Sequence, residues 1–192
     1  MLKSGQQAPN FKVKNINDKI TELNEIKHQK ILLTFFRYAE CALCNLRISE
    51  LKSVSNQLRD NDIHLIAVFQ SNAQSLIDSI QNRHEFDFTI IADTELKLYD
   101  LYQVKPSWLK LIRTSSLKGI KSMFQASSKG FKLGGRIDGK FNQIPADFLI
   151  DSNKEIEIAH YGNSIVDHIA IDKGAYFTTN VETSVIVMIE DG

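Results

Sequence analysis

The stretch Ile31-Leu-Leu-Thr-Phe-Phe-Arg-Tyr-Ala-Glu-Cys-Ala-Leu-Cys-Asn-Leu-Arg-Ile-Ser-Glu-Leu51 changes its period partway along. Its first six residues are almost all apolar, over a length that suits a central strand covered on both faces. From Ala42 the apolar positions recur at helical spacing. Leu43, Leu46, Leu51, Val54 and Leu58 share one face, while Arg47, Glu50, Lys52 and Gln57 lie mostly on the other. The two cysteines of the chain, Cys41 and Cys44, stand where strand gives way to helix.

That position has chemical consequences. The first turn of a helix leaves backbone N–H groups unpaired, and the helix dipole adds partial positive charge there. A thiolate is stabilised at such a place, and its pKa falls from about 8.5 into the range ~3.5–7.5. A second thiol one turn away can attack a mixed disulfide and release the product. Arg37 and Arg47 are near in sequence and add positive potential, which Glu40 opposes. The pair is no structural staple, because a disulfide closing so short a loop constrains the unfolded chain little. Two other readings stay open. Half a zinc site would need two further ligands, and the histidines at 28, 64, 84, 160 and 168 form no tight pair. Two inert buried thiols are the other.

Outward from this junction, strands and helices alternate. Phe11 to Lys14 and Ile20 to Leu23 read as short strands around a turn. Ile63 to Phe69 is a buried strand. Ser71 or Asn72 caps a helix running to about Asn82. Asp87 to Ala92 is a strand, after which Asp93 or Thr94 caps a short helix bearing Leu96, Tyr99 and Tyr102. Pro106 interrupts, and Ser107 to Gln125 reads as one amphipathic helix. Residues 127–139, rich in Gly, Ser and Lys, are loop. Asp147 to Asp151 and Glu155 to Tyr161 pair as a hairpin. Residues Val181 to Ile189 fit either a strand or a short helix. The sum is an α/β fold, a central mixed sheet flanked by helices. The expected division is a domain over residues 1–170 and a C-terminal extension, 171–192, packing on it.

Composition narrows the function. Lys+Arg and Asp+Glu are both 23 in 192 residues. This balance argues against a nucleic-acid face and against a polybasic membrane anchor. No apolar run approaches the ~18–20 residues of a membrane span, and Met1 to Pro9 has no hydrophobic signal core, so a cytoplasmic setting is expected.

The quoted segment resembles the active-site segment of the alkyl hydroperoxide reductase/thiol-specific antioxidant (AhpC/TSA, peroxiredoxin-like) family of the thioredoxin superfamily. So do Gln143-Ile-Pro-Ala-Asp-Phe-Leu-Ile-Asp151, the following Lys154-Glu-Ile-Glu-Ile-Ala-His-Tyr-Gly162, and the opening Gly5-Gln-Gln-Ala-Pro-Asn-Phe11, over about residues 3–170. The resemblance implies a thioredoxin-like fold with peroxiredoxin-like additions. It implies that Pro145 matches the cis-proline facing the cysteine pair, and that an arginine stabilises charge at the sulfur: Arg37, Arg113 or Arg136, the last from a flexible loop. It further implies a disulfide or hydroperoxide as substrate, an external thiol reductant such as a thioredoxin, and no bound cofactor or metal. A homodimer is compatible with it.

The family's peroxidases carry P-x-x-x-T-x-x-C. Here Arg37 takes the proline place and Cys41 the threonine place, which aligns Cys44 with the peroxidatic cysteine. Thioredoxins instead use the first cysteine. Cys41 is the preferred nucleophile, being expected to be the more exposed, with Cys44 resolving. A non-enzymatic redox sensor or binding module is the alternative. Trp108 would line a groove or anchor a helix. His160, Tyr161, Asp167 and His168 read as a structural cluster.

Overall fold

The computed structural model describes residues 1–27, 29–84, 88–115, 117–131, 134–171 and 177–178. Its centre is a five-stranded sheet in the order β5-β4-β3-β6-β7. Strand β3 (Lys30–Phe35) runs parallel to β4 (Ile63–Phe69), which runs parallel to β5 (Thr89–Ala92). On its other side β3 is antiparallel to β6 (Ala146–Ile150), and β6 is antiparallel to β7 (Ile156–Tyr161). β1 (Lys12–Lys14) and β2 (Ile20–Glu22) form a separate antiparallel pair.

Because side chains alternate along a strand, an unbroken apolar run supplies both faces. Leu32 and Phe36 pack on one side with Leu65, Ala67, Phe69, Leu149 and Ile158. Ile31, Leu33 and Phe35 pack on the other with Ile66, Val68, Phe148 and Ile150. The first face is covered by α1 (Ala42–Ser53), α2 (Ser55–Asp60) and the helical segment of α3 (Ala73–Leu76), a π turn (Ile77–Gln81) and α4 (Asn82–His84). α5 (Lys97–Leu101) closes the second face through Leu98 and Tyr99. Asn72 caps α3 through the Ser75 N–H, and the two Asp93 carboxylate oxygens accept the N–H groups of Lys97, Leu98 and Tyr99 in the first turn of α5.

Two helices break where uninterrupted ones were expected. Val54, at φ −114° and ψ 16°, separates α1 from α2. The helix read from Ser107 to Gln125 is α6 (Trp108–Ile112), a 3-10 turn (Arg113–Ser115) and α7 (Leu117–Ser128). Gly119 marks the second break: a Cβ there would run into the Thr114 carbonyl oxygen, so only glycine admits this crossing. Of the C-terminal extension, backbone strands β8 (Ala170–Ile171) and β9 (Phe177–Thr178) pair; residues 179–192, with Val181 to Ile189, lie outside the described residues.

Candidate active site

Cys41 is the N-cap of α1, and its Sγ accepts the Cys44 backbone N–H at 3.3 Å. The carbonyl of Tyr38 takes the Cys41 N–H, which turns the chain out of β3 and into the helix. Arg37 folds back over this turn. Its Nη2 donates to Cys41 Sγ at 3.0 Å and its Nη1 to the Phe141 carbonyl at 2.8 Å. The guanidinium also lies over the rings of Tyr38 and Phe141, at 5.1 and 5.5 Å.

Both sulfurs are buried, Cys41 at 2% exposure and Cys44 at 5%. The expectation that Cys41 leads because it is the more exposed is therefore corrected: electrostatics separates the two. Burial alone would push either thiol up. At Cys41 that effect is outweighed by the hydrogen bond from Cys44, the Arg37 charge and hydrogen bond, and the Cys44 N–H, so its pKa is lowered. At Cys44 burial is joined by the neighbouring Cys41 charge, so its pKa is raised. The two shifts run apart, so the charged form is favoured on Cys41 and the protonated form on Cys44.

A frame of neutral hydrogen bonds holds the turn. Asn45 Nδ2 donates to the carbonyls of Ala39 (2.8 Å) and Cys41 (3.1 Å), and its Oδ1 meets His84 Nε2 at 3.0 Å. The imidazole sits in an enclosed site beside Arg83, Lys52 and Lys129, and burial together with these cations lowers its pKa to about 4. His84 is thus a neutral prop below the cysteine turn. Ser71 Oγ accepts the Ala39 N–H and donates to Asp138 at 2.5 Å.

Residues 134–143 form a strap over this turn. The Arg136 N–H binds Glu40 Oε2, the Lys140 N–H binds Gln70 Oε1, and Gln70 Nε2 donates to Gln143 Oε1. Gly135 lies so close that a Cβ would come within 2.6 Å of Glu40 Cβ, and one at Gly139 within 2.7 Å of Gln70 Oε1. The strap and the cysteine turn touch through small residues.

Of the expected supporting residues, Arg37 reaches the sulfur. Arg136 and Arg113 have exposed side chains, and the strap uses Arg136 through its backbone. Pro145 is buried one residue before Ala146, which pairs with Phe35 at the end of β3 nearest the cysteine turn. The expected cis bond is corrected: no cis peptide bond occurs among the described residues. A trans proline suits this strand entry, where its carbonyl accepts the Gly162 N–H and no donor is required of it.

Asn45, Gln70 and Asp138 were not picked out from sequence, and Ser71 and Gln143 were named there only as a helix cap and as part of the segment around Pro145. Only Asn45 carried a signal, as an uncharged polar residue beside the second cysteine. The others meet across 32 to 73 positions of chain, a proximity no local pattern encodes. His160 pairs with Asp167, and Tyr161 bonds Leu2 and Tyr102, as a structural cluster would. His168 is bound differently from expectation, to the fully buried Asp147 at 3.0 and 3.1 Å. Trp108 is 65% exposed, so it does not anchor α6 to the sheet. Among the described residues no three His, Cys, Asp or Glu side chains converge as metal ligands.

This strand, CxxC turn and helix agree with the comparison to known sequences, in which the AhpC/TSA family model matches residues 4–159. The chain belongs to the AhpC/TSA family. It is similar to the thiol-disulfide oxidoreductase ResA of Halalkalibacterium halodurans, at 22% identity over 106 residues, 55% of this chain and 60% of that protein. A Helicobacter pylori bcp protein of peroxiredoxin type is 24% identical over 102 residues, 53% of this chain and 66% of that one. The match thus spans about three fifths of such relatives. In fold, the AhpC/TSA chain is similar to peroxidoxin BcpB of Mycobacterium tuberculosis (TM-score 0.63, 11% identity, 86% of this chain and 90% of that one). A cysteine-to-serine mutant of Xylella fastidiosa PrxQ is similar to nearly the same degree (TM-score 0.62, 15% identity, 84% and 86%). Thioredoxin-like architecture and a redox cysteine pair are family properties that this chain carries.

Proposed function

We propose that this protein is a thiol-dependent reductase whose Cys41 thiolate attacks a small hydroperoxide. The observation that carries the reading is Arg37, a permanent cation 3.0 Å from a buried sulfur. It stabilises the thiolate before attack and the oxygen charge that develops as the peroxide bond breaks. Cys41 S⁻ takes the terminal oxygen of ROOH, the O–O bond breaks, and RO⁻ leaves and is protonated as ROH. The sulfenic acid on Cys41 is then attacked by the Cys44 sulfur, which forms the Cys41–Cys44 disulfide and expels water. An external dithiol, such as a thioredoxin, reduces that disulfide by exchange and is itself oxidised. Burial under residues 134–143 favours a small oxidant over a bulky one.

A second reading is disulfide exchange with a protein substrate. It is supported by the Cys44 thiol lying within hydrogen-bonding reach of Cys41, and it requires the strap to move aside. Both readings test together in one assay, run on hydrogen peroxide, an organic hydroperoxide and a protein disulfide with a recycling dithiol. Cys41→Ser should abolish every activity. Cys44→Ser should give a single turnover and a sulfenic acid that a carbon nucleophile traps on Cys41. Full activity in Cys41→Ser would sink this assignment, and oxidation without turnover in the wild type would point to the redox-sensor alternative.

A further inference from the structure

The neutral charge balance of the whole chain conceals a local imbalance. From Leu101 to Ile137 there are eight lysines and arginines, beginning at Lys105 and ending at Arg136, and no aspartate or glutamate. The same stretch holds the largest exposed apolar side chains. Trp108, Leu109 and Ile112 of α6 are 65%, 66% and 69% exposed, and α6 buries no residue.

α7 packs on α1 through small residues and leaves large apolar ones outside. Its Lys121, Ser122 and Gln125 line the cleft against α1, Ala126 is buried, and Lys129 Nζ donates to Ser49 Oγ on α1. Ile120, Met123 and Phe124 lie on the opposite face by helical spacing and are exposed, Phe124 at 73%. An amphipathic helix ordinarily buries its apolar stripe. Here the stripe faces outward, and Lys105 and Arg113 are exposed just before α6 and just after it. The 3-10 turn, held by buried Thr114 accepting the Ile165 N–H, joins α6 to α7.

We infer that the α6–α7 face docks on an anionic bilayer surface. A large exposed apolar patch marks a contact surface, and aromatic and aliphatic side chains set among lysines and arginines are the composition of an element that lies in the interface plane. A symmetric dimer through this face is opposed by its charge, because an isologous contact sets the same basic patch against itself. No helix among the described residues is long and apolar enough to cross a membrane, so the contact is peripheral. It adjoins the cysteine site: the Ser107 N–H donates to the Asn142 carbonyl, and Pro106 bridges to Gln143, both in the strap or at its edge. Docking therefore brings the covered side of Cys41 toward the lipid surface.

Trp108 is the single tryptophan of the chain and reports its own environment. The full chain should co-sediment with vesicles of phosphatidylglycerol and phosphatidylcholine mixed equally, with a blue shift of Trp108 emission. It should bind phosphatidylcholine vesicles weakly and leave the mixed vesicles in high salt. Leu109→Ser/Ile112→Ser/Phe124→Ser should keep its far-ultraviolet circular dichroism and lose binding. Lys105→Glu/Arg113→Glu should weaken binding by roughly fivefold or more for each cation removed. The inference fails if mixed vesicles leave the emission unchanged. It fails equally if both variants bind as the wild type does, or if soluble polyglutamate binds while vesicles do not, which would make the partner an acidic protein.

Discussion

The two faces of the central sheet are built from alternate residues of the same strands, yet they are stabilised differently. On the face closed by α5, Phe35, Tyr99, Tyr102, Phe148 and Tyr161 form a chain of edge-on and tilted ring contacts at 5.1–5.9 Å. The tyrosine hydroxyls there all donate to backbone carbonyls: Tyr99 to Phe36 and Val68, Tyr102 to Pro9, Tyr161 to Tyr102. That face holds no buried ion pair among the described residues. The cysteine face holds Arg37 against Cys41, Asp147 against His168, and Arg47, whose Nη2 donates to the Ile169 carbonyl. Neutral aromatic packing makes one side of the sheet a rigid base, and the charges needed for chemistry are gathered on the other.

Asp147 offers the sharpest way to break this contrast. Burial would raise its pKa, but His168, with help from Arg47 and the Ile169 N–H, holds it down to about 2. Asp147→Ala leaves the His168 ring and the Ile169 N–H without their buried acceptor and should cost about 1–3 kcal/mol for each, read by denaturant unfolding. The sign in pH follows from a lowered folded-state value. The stability from Asp147 is present above its unfolded pKa of about 4 and is lost as pH falls from there through about 2. A flat stability profile across that window would show that the pair contributes nothing.

Arg37 comes next, and it acts on rate more than on folding. Arg37→Met should lower hydroperoxide reduction by about 10²–10³-fold and move the pH dependence of Cys41 alkylation to higher pH, because the cation that favours the thiolate is gone. Arg37→Lys should restore part of the shift while losing the fork that spans the sulfur and the Phe141 carbonyl. An unchanged alkylation profile in both variants would remove Arg37 from the site.

The strap sharpens the contrast at smaller scale. Gly135→Ala drives a methyl group onto the Glu40 carbonyl, 2.7 Å from the ideal Cβ. Overpacking of this kind costs about 1–3 kcal/mol, enough to shift a covered state toward an open one by roughly tenfold or more. Alkylation of Cys41 should accelerate accordingly, with little change in its pH midpoint. The smallest expected effect lies on the aromatic face. Tyr99→Phe leaves the Phe36 and Val68 carbonyls without their shared donor and should cost about 1–3 kcal/mol in stability, with the cysteine chemistry unchanged. A large loss of activity there would mean the two faces are not separable.

Much of this frame was legible along the chain. The strands at 30–35, 63–69, 146–150 and 156–161 carry apolar runs or alternation that only a sheet explains, and the Cys41-x-x-Cys44 turn announces itself by the change from strand to helix period. The breaks at Val54 and around Thr114 were not legible. Each rests on what the helix meets, as the contact of Gly119 with Thr114 shows. The trans state of Pro145 was misread for the same reason, since the residues flanking it look alike in either isomer.

Local spacing by itself determined the order of elements, the pair of thiols and their place at a helix start, because periodicity and the unpaired amides of a first turn are properties of neighbouring residues. Which sulfur carries the charge was decided only by tertiary structure. Both cysteines are buried nearly alike, and what separates them is the hydrogen bond that Cys41 takes from Cys44 together with a guanidinium folded back onto Cys41 and anchored by a carbonyl 104 positions away. The electrostatic field at a buried atom sums over everything packed around it, and the sequence lists those groups without saying which ones meet.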